Sequence, residues 1–409
     1  MVRVFGEEEY STSKDKGQRE KGKSIVLFAE SVYDEFMDHV KKLFRLSHPY
    51  DTAKSNDLFV KAMRENCAWH YDRCPAYRAI LEREHFKPEM IQTYDDLAKI
   101  PYIPTLYFKH HELASEPDKK MILKVTSSGT SGQNQSKIGY DVYTILRDWE
   151  MVKRLFRYHK VWSLKPTHFV VFGYQPHKGN NKAIAKSSWG FTFTSPALSK
   201  DYAIRWINGD YKVDLENIEK KLIRYAKGHH QVRSLGFPAY TYFLLQEMKA
   251  HGVHVKLPKG SKMTLGGGWK QFYAQACSKQ EFYDLAHEVL GLEEKDIIEF
   301  FGAVEHPIMW TTCEKHHFHV PVYARVIIRD PDTFAPLPPG KMGLINLLTP
   351  LSHAAPLTSI VTDDLGILHE EECGCGIHSP YLEIVGRVGL EDIKTCAAGA
   401  EELLKGAKS

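Results

Sequence analysis

The sequence predicts a mostly parallel α/β body, entered through a helical segment and followed by a smaller β-rich unit. Three patterns predict it. Between about Pro166 and Phe301, short β-type runs (HFVVFGY, SLGF, MTLGGG) alternate with helical ones (LENIEKKLIRYAKG, PAYTYFLLQEMKAHG, KQEFYDLAHEVLG). Such alternation builds βα units on a parallel sheet. From Ser24 to about Ala98, apolar residues recur at i, i+3, i+4 and i+7, the period of helices with one buried face. After His319 the chain turns to VPVYARVIIRD, PDTFAPLPPGKMG, LINLLTP and IVTDDLGIL, strand-like runs around a Pro/Gly hairpin.

In chain order, residues 1–24 are dense in charge and poor in apolar side chains, and read as a tail without a core of its own. Cys67 and Cys74 lie two turns apart on one face of the helical segment, where core packing is expected. Ile100-Pro101-Tyr102-Ile103-Pro104 breaks that segment with an extended entry into the next unit. With 409 residues and 43% hydrophobic content, the chain has room for two domains or one large body with an appendage. A net charge of +3 gives no support for nucleic acid as a partner. No apolar run approaches the roughly 18–20 residues of a membrane span, and a cytoplasmic location is expected. Seven cysteines, an odd number without a leader peptide, argue against a disulfide framework.

Five constellations can carry chemistry. Thr126, Ser127, Ser128, Gly129, Thr130, Ser131 and Gly132 form a hydroxyl- and glycine-rich turn between a strand and a helical segment, suited to wrapping N–H groups around phosphate oxygens. It lacks the Walker spacing, and a polar surface loop is the alternative. Gly266, Gly267 and Gly268 end a predicted strand and would let a flat base lie against backbone, unless they only turn the chain. Glu305 follows another strand end, either as an Mg²⁺ ligand or as a surface glutamate. Thr362-Asp363-Asp364, with Arg387 downstream, offers carboxylates for ribose hydroxyls and a cation for phosphate or carboxylate, or else a solvated turn. Cys313, His319, Cys373 and Cys375 supply soft thiolates and an imidazole, a set suited to a structural Zn²⁺. Buried cysteines without metal are the alternative there, and His316, His317 and His378 compete for the histidine position.

The order SSGTSG, GGGWK, FFGAVE, VTDD, GRV resembles the ANL adenylate-forming superfamily. Within it, TSSGTSG, LGGGWK, HVPVYARVIIRDPDTFAPLPPG, IVTDDLGI and KTCAAGAEE are similar to LuxE-type acyl-protein synthetases, the fatty-acid-activating subunits of bacterial bioluminescence reductases. The resemblance runs from about Tyr71 to the end. It implies an ANL N-terminal domain over 25–385, with 386–409 as hinge and C-terminal stub, the usual mobile domain being reduced to that stub. It implies that Thr126–Gly132 cradles ATP phosphates and that Gly266–Gly268 borders adenine and the acyl group. Glu305 would bind Mg²⁺, Asp364 the ribose, and Arg387 would contact nucleotide at the hinge. Lys137 comes later behind the loop than the superfamily's lysine does. Some phenylacetate–CoA-ligase-like relatives carry a similar Cys…His…CxC set.

Cys396 lies where the LuxE-type family carries its acyl-accepting cysteine. A thiolate there could take an acyl group from acyl-AMP, and Lys394 and a helix start would favour the ionised form. The expected activity is therefore ATP-dependent activation of a carboxylic, fatty acid, transfer to Cys396, and delivery to a partner acyl reductase (LuxC-like). Two other readings are a ligase delivering to CoA or a carrier protein, and a zinc-stapled binding protein without turnover. The spans Phe172–Phe193 and Gly236–Ala239 are expected to wall the acid pocket.

Overall fold

The computed structural model describes residues 37–127, 135–177, 180 and 183–387, and three helices come first in it: α1 (Asp38–Phe44), α2 (Thr52–Arg73) and α3 (Pro75–Arg83). Along α2, Phe59, Met63, Cys67 and His70 repeat at helical spacing and are all buried. The periodicity ran unbroken through Cys74, but the chain breaks there. Cys74 is extended (φ −115°, ψ 98°) and Pro75 opens α3, since proline suits a helix start and disrupts an interior. Cys67 and Cys74 are both core residues as expected, yet they do not share one helix face.

The proline pair gives the extended entry β1 (Ile103–Pro104), followed by the single turn α4 (Tyr107–His110). Strand β2 (Leu123–Thr126) pairs antiparallel with β3 (Lys137–Tyr140). The hydroxyl-rich stretch is thus followed by a strand paired to the one before it, rather than directly by a helix. Helix α5 (Val142–Tyr158) starts at Asp141, whose side chain accepts from the Thr144 N–H and so satisfies an orphan donor of the first turn.

The alternating region then runs β4 (Thr167–Tyr174), α6 (Ala183–Phe191), β5 (Ala197–Ile207), β6 (Asp210–Val213), α7 (Leu215–Ala226), β7 (Gln231–Gly236), α8 (Pro238–Ala250), β8 (Lys262–Gly266), α9 (Lys279–Leu290), β9 (Ile297–Ala303) and β10 (His306–Thr311). Among the described residues these strands form a seven-stranded sheet in the order β10-β9-β8-β7-β4-β5-β6. β9, β8, β7, β4 and β5 are mutually parallel, and β10 and β6 run antiparallel at the edges. Both faces are covered, as parallel sheets require. Ile218, Leu222, Leu244, Met248, Phe282 and Val289 of α7, α8 and α9 pack one face, and Phe156 and Phe191 of α5 and α6 pack the other. Helix α9 is delimited at both ends, by a Ser278–Glu281 capping box and by Gly291 at φ +64°.

The C-terminal region forms a second sheet from β11 (Phe318–His319), β12 (Arg325–Arg329), β13 (Pro336–Leu337), β14 (Met342–Leu348), β15 (Ser359–His369) and β16 (Tyr381–Arg387). Its order is β11-β16-β15-β14-β12-β13, and β1 adds to β15 in parallel. This sheet is no detached appendage. Its inner side chains (Val326, Ile345, Leu347, Ile360) share one hydrophobic cluster with α1, α2 and α3.

A buried polar clamp locks the two regions together. His353, in the segment entering β15, pairs with Asp141 at the cap of α5, and the His353 N–H donates to Thr144 Oγ1 at 3.0 Å. Arg147 Nη1 donates to the Leu351 carbonyl at 2.9 Å, and Asn66 Nδ2 to that of Ser352 at 2.7 Å. The helix that follows the hydroxyl-rich hairpin is thereby held against the strand carrying Asp363 and Asp364.

Candidate active site

Open α/β sheets bind ligands at the carboxyl ends of their strands, and two of the sequence-predicted groups stand there, Gly266–Gly268 at the end of β8 and Glu305 just past β9. Thr126 ends β2 opposite Lys137. Ser127 continues the hairpin, donating its N–H to the Ser136 carbonyl (3.1 Å) and accepting the Ser136 N–H on its Oγ (3.1 Å). Ser128, Gly129, Thr130, Ser131 and Gly132 lie outside the described residues. Lys137 reaches Glu112 at 3.5 Å on the surface.

Gly266 closes β8, and Gly267 and Gly268 follow at φ +83° and +64°, a conformation that side chains with a Cβ rarely adopt. Gly266 and Gly268 border a cavity of about 220 Å³ whose walls include Pro238, Trp269, Phe282, Glu299 and Phe300. Glu299 accepts from Tyr283 Oη at 2.9 Å and pairs with Lys279 at 2.8 Å. Of the spans expected to wall an acid pocket, Pro238 does line this cavity. The longer one divides, with Phe172 packing against α7, α8 and α9 and Phe191 against α5 on the opposite face.

Glu305 sits in the turn between β9 and β10, only 6% exposed. Burial pushes its carboxyl up, the nearby Ser136 hydroxyl opposes that rise, the Asp363 charge adds to it, and Lys109 on α4 pulls it back. Asp364 and Arg387, singled out together in the sequence, are cross-strand partners in the β15–β16 pair. Asp363, the other carboxylate of that motif, accepts from the Thr105 hydroxyl at 3.1 Å. Thr105, Lys109, Ser136 and Glu299 carried no signal in the sequence, because nothing in their spacing ties them to the motifs they meet. Cys396 lies outside the described residues.

Cys313, His319, Cys373 and Cys375 converge, with their ligand atoms all within 4.8 Å of one another. Cys313 Sγ and Cys373 Sγ are 3.9 Å apart, and His319 Nε2 is 3.0 Å from Cys373 Sγ and 3.3 Å from Cys375 Sγ. A tetrahedral zinc with ordinary bond lengths separates sulfurs by about 3.8 Å and sulfur from nitrogen by about 3.5 Å. The donor set therefore fits such an ion. His319 Nδ1 donates to the Ser379 carbonyl at 2.8 Å, which leaves Nε2 as the unprotonated ligand nitrogen. Backbone N–H groups of Lys315 and Ile377 point at the sulfurs of Cys313 and Cys375. The competing histidines are engaged elsewhere. His316 stacks on Tyr283, His317 on Tyr381, and His378 meets Glu372.

The family described as acyl-protein synthetase, LuxE, matches residues 31–405. The chain belongs to the LuxE acyl-protein synthetase family. It is 28% identical over 348 residues to a long-chain-fatty-acid–luciferin-component ligase of Aliivibrio fischeri, covering 84% of this chain and 88% of that one. A phenylacetate–coenzyme A ligase of Thermus thermophilus is 25% identical over 342 residues, covering 82% and 70%. Among solved structures, a 2-hydroxyisobutyryl-CoA ligase in its postadenylation state superposes with a TM-score of 0.62 at 15% identity, over 84% of this chain and 70% of that one. The LuxE-type chain is thus a ligase on the ANL adenylate-forming fold, as its motif order implied. In the described residues no helix is long and apolar enough to cross a membrane.

Proposed function

We propose that this LuxE-type ligase activates a long-chain carboxylic acid with ATP and passes the acyl group through Cys396 to a partner acyl reductase. What supports the first step is that Gly266 and Gly268 line a cavity after β8, that Glu305 is buried just past β9, and that Asp364 stands opposite Arg387 in the β15–β16 pair. In the first step a carboxylate oxygen bonds to the α-phosphorus, and the bond to pyrophosphate breaks. Gly266–Gly268 and Glu299 border the base, Asp364 accepts from the ribose, and the Thr126–Gly132 hairpin cradles the leaving phosphates. Glu305 would hold Mg²⁺, which neutralises charge on the phosphates when bound. The chain's own contribution is positioning in a partly buried site.

In the second step the Cys396 thiolate attacks the acyl carbonyl, the mixed-anhydride bond breaks and AMP leaves. The Cys313/His319/Cys373/Cys375 cluster would hold a structural Zn²⁺ whose charge keeps the buried thiols ionised. Acid-dependent exchange of pyrophosphate into ATP, run over acids of increasing chain length, tests activation. No exchange with any acid would remove the reading. Radiolabelled acid should remain bound to the wild-type chain but not to Cys396→Ser, which should keep exchange. The similarity to a phenylacetate–CoA ligase supports CoA as a second acceptor. Release of acyl-CoA by the Cys396→Ser chain would favour that reading.

A further inference from the structure

Glu299 lines the cavity that Gly266 and Gly268 border. A carboxylate in such a wall is useful to a ligand only where its position is fixed beforehand. Glu299 is fixed twice, and both attachments lead to the turn that carries Cys313. At the backbone, the Glu299 N–H donates to Thr312 Oγ1 at 2.9 Å, and the Thr312 N–H donates to the Glu299 carbonyl at 3.0 Å. Thr312 is buried and directly precedes Cys313. At the side chain, Tyr283 Oη donates to Glu299 Oε1 at 2.9 Å, and the Tyr283 ring stacks on His316 with centroids 4.4 Å apart and planes at 22°. We propose that the Cys313 turn is the back support of the Gly266/Gly268 cavity, with His316 as a positioning residue that sets the Glu299 carboxylate through Tyr283. This rests on the adenylation reading of the same cavity.

His316 stands at φ +59°, a conformation uncommon outside glycine that persists where the surroundings over-determine it. Here they do. The His316 N–H donates to the Cys313 carbonyl at 2.9 Å, and the Cys313 N–H to that of His317 at 3.0 Å. The Lys315 N–H points at Cys313 Sγ at 3.3 Å. At the ring edge, Glu294 Oε1 stands 3.2 Å from His316 Nε2. The turn therefore presents the imidazole face to Tyr283 in one orientation. A phenol hydroxyl lies in the plane of its ring, so a stack that fixes the plane also aims the hydroxyl at Glu299. Lys279, one turn earlier on α9, pairs with Glu299 at 2.8 Å, but its side chain is 60% exposed. A flexible surface ammonium balances charge without fixing position. The rigid support comes from Tyr283 and Thr312.

The test is binding of N-methylanthraniloyl-ATP to the full chain, read by fluorescence, together with the KM for ATP and kcat of pyrophosphate exchange. Wild type, His316→Asn, His316→Phe, Tyr283→Phe and Glu299→Gln are compared, with melting temperatures confirming folding. Asparagine tolerates positive φ and so keeps the turn while removing the ring. Phenylalanine restores a flat ring. Tyr283→Phe keeps the stack and removes only the hydroxyl. His316→Asn and Tyr283→Phe should each weaken the nucleotide by roughly 10-fold, the scale of one lost hydrogen bond to a charged group. The loss should appear in KM with kcat within about twofold of wild type, and His316→Phe should recover most of it. Wild-type binding in His316→Asn, with Glu299→Gln impaired, overturns the inference and leaves the adenylation reading standing. His316→Phe as weak as His316→Asn also overturns it, because the turn and not the ring would then matter. So does a loss confined to kcat. If Glu299→Gln and His316→Asn both bind like wild type, the reading of Glu299 as a wall of the nucleotide site fails along with it.

Discussion

The Cys/His cluster and the proposed nucleotide-binding groups Asp364 and Arg387 adjoin the same two strands, yet the two are completed in opposite ways. β15 pairs with β16 from Asp364 to His369, about 17 Å at the rise of an antiparallel strand, and β16 runs back from Tyr381 to Arg387. At one end, Cys313, His319, Cys373 and Cys375 close on a common centre, with His319 oriented by the Ser379 carbonyl. Elsewhere, Glu305 is buried, which pushes its carboxyl up, and Gly266 and Gly268 of the β8 end border an open cavity. A site for a resident ion draws its whole donor set from the chain. A site for a passing substrate keeps charge unmatched and space unfilled, at a cost in stability that binding offsets.

Four changes break or sharpen this contrast, in falling order of effect. Cys373→Ser, or chelation of the wild-type protein, should lower unfolding stability by more than about 3 kcal/mol, because metal-binding energy is folding energy. Nucleotide affinity should also fall, since β15 and β16 carry both sites. Metal analysis showing no zinc, or a denaturation midpoint indifferent to chelator, would falsify the structural-metal half of the contrast. His353→Ala, at the clamp between the regions, strands the buried Asp141 carboxylate and should cost about 3–5 kcal/mol, again read by denaturation.

Glu305→Gln should do the reverse of the zinc-ligand change. Pyrophosphate exchange should drop by about 100-fold or more while stability holds or rises, because a buried charge is removed. A matching loss of stability would mean that Glu305 serves the fold instead. The smallest effect is that of pH. Burial holds His70 and His306 down to about 3, with the His353 charge also lowering His70. Each is neutral in the fold and protonated when unfolded below about pH 6.5. Their contribution is therefore present above pH 6.5 and lost as pH falls toward 3, at up to about 1.4 kcal/mol per pH unit for each histidine. Urea midpoints flat between pH 7 and pH 4.5 would contradict it.

Much of this was written in local patterns. βα alternation announced the parallel sheet, because strand and helix periods are properties of neighbouring residues. The glycines after β8, Glu305 after β9 and the Cys/His set were legible because their residue types are unusual where they stand. The break at Cys74 should have been legible too, since Pro75 carries its own backbone restriction. Other features were not. Nothing in KIGY announces a strand that turns the hydroxyl-rich stretch into a hairpin. Nothing in the spacing of His353 and Asp141 brings them together, and four competing histidines look alike until folding stacks two of them on tyrosines and pairs a third with Glu372.

By itself, then, the sequence determined the fold class, the family and the kinds of chemistry available, because these follow from residue type and short-range period. Tertiary structure decided the groupings. It set Asp364 opposite Arg387, chose His319 for the cluster, and separated Asp363 from its neighbour toward Thr105. Those partners are far apart in the chain, and only the packing of two sheets against shared helices brings their side chains into one another's field.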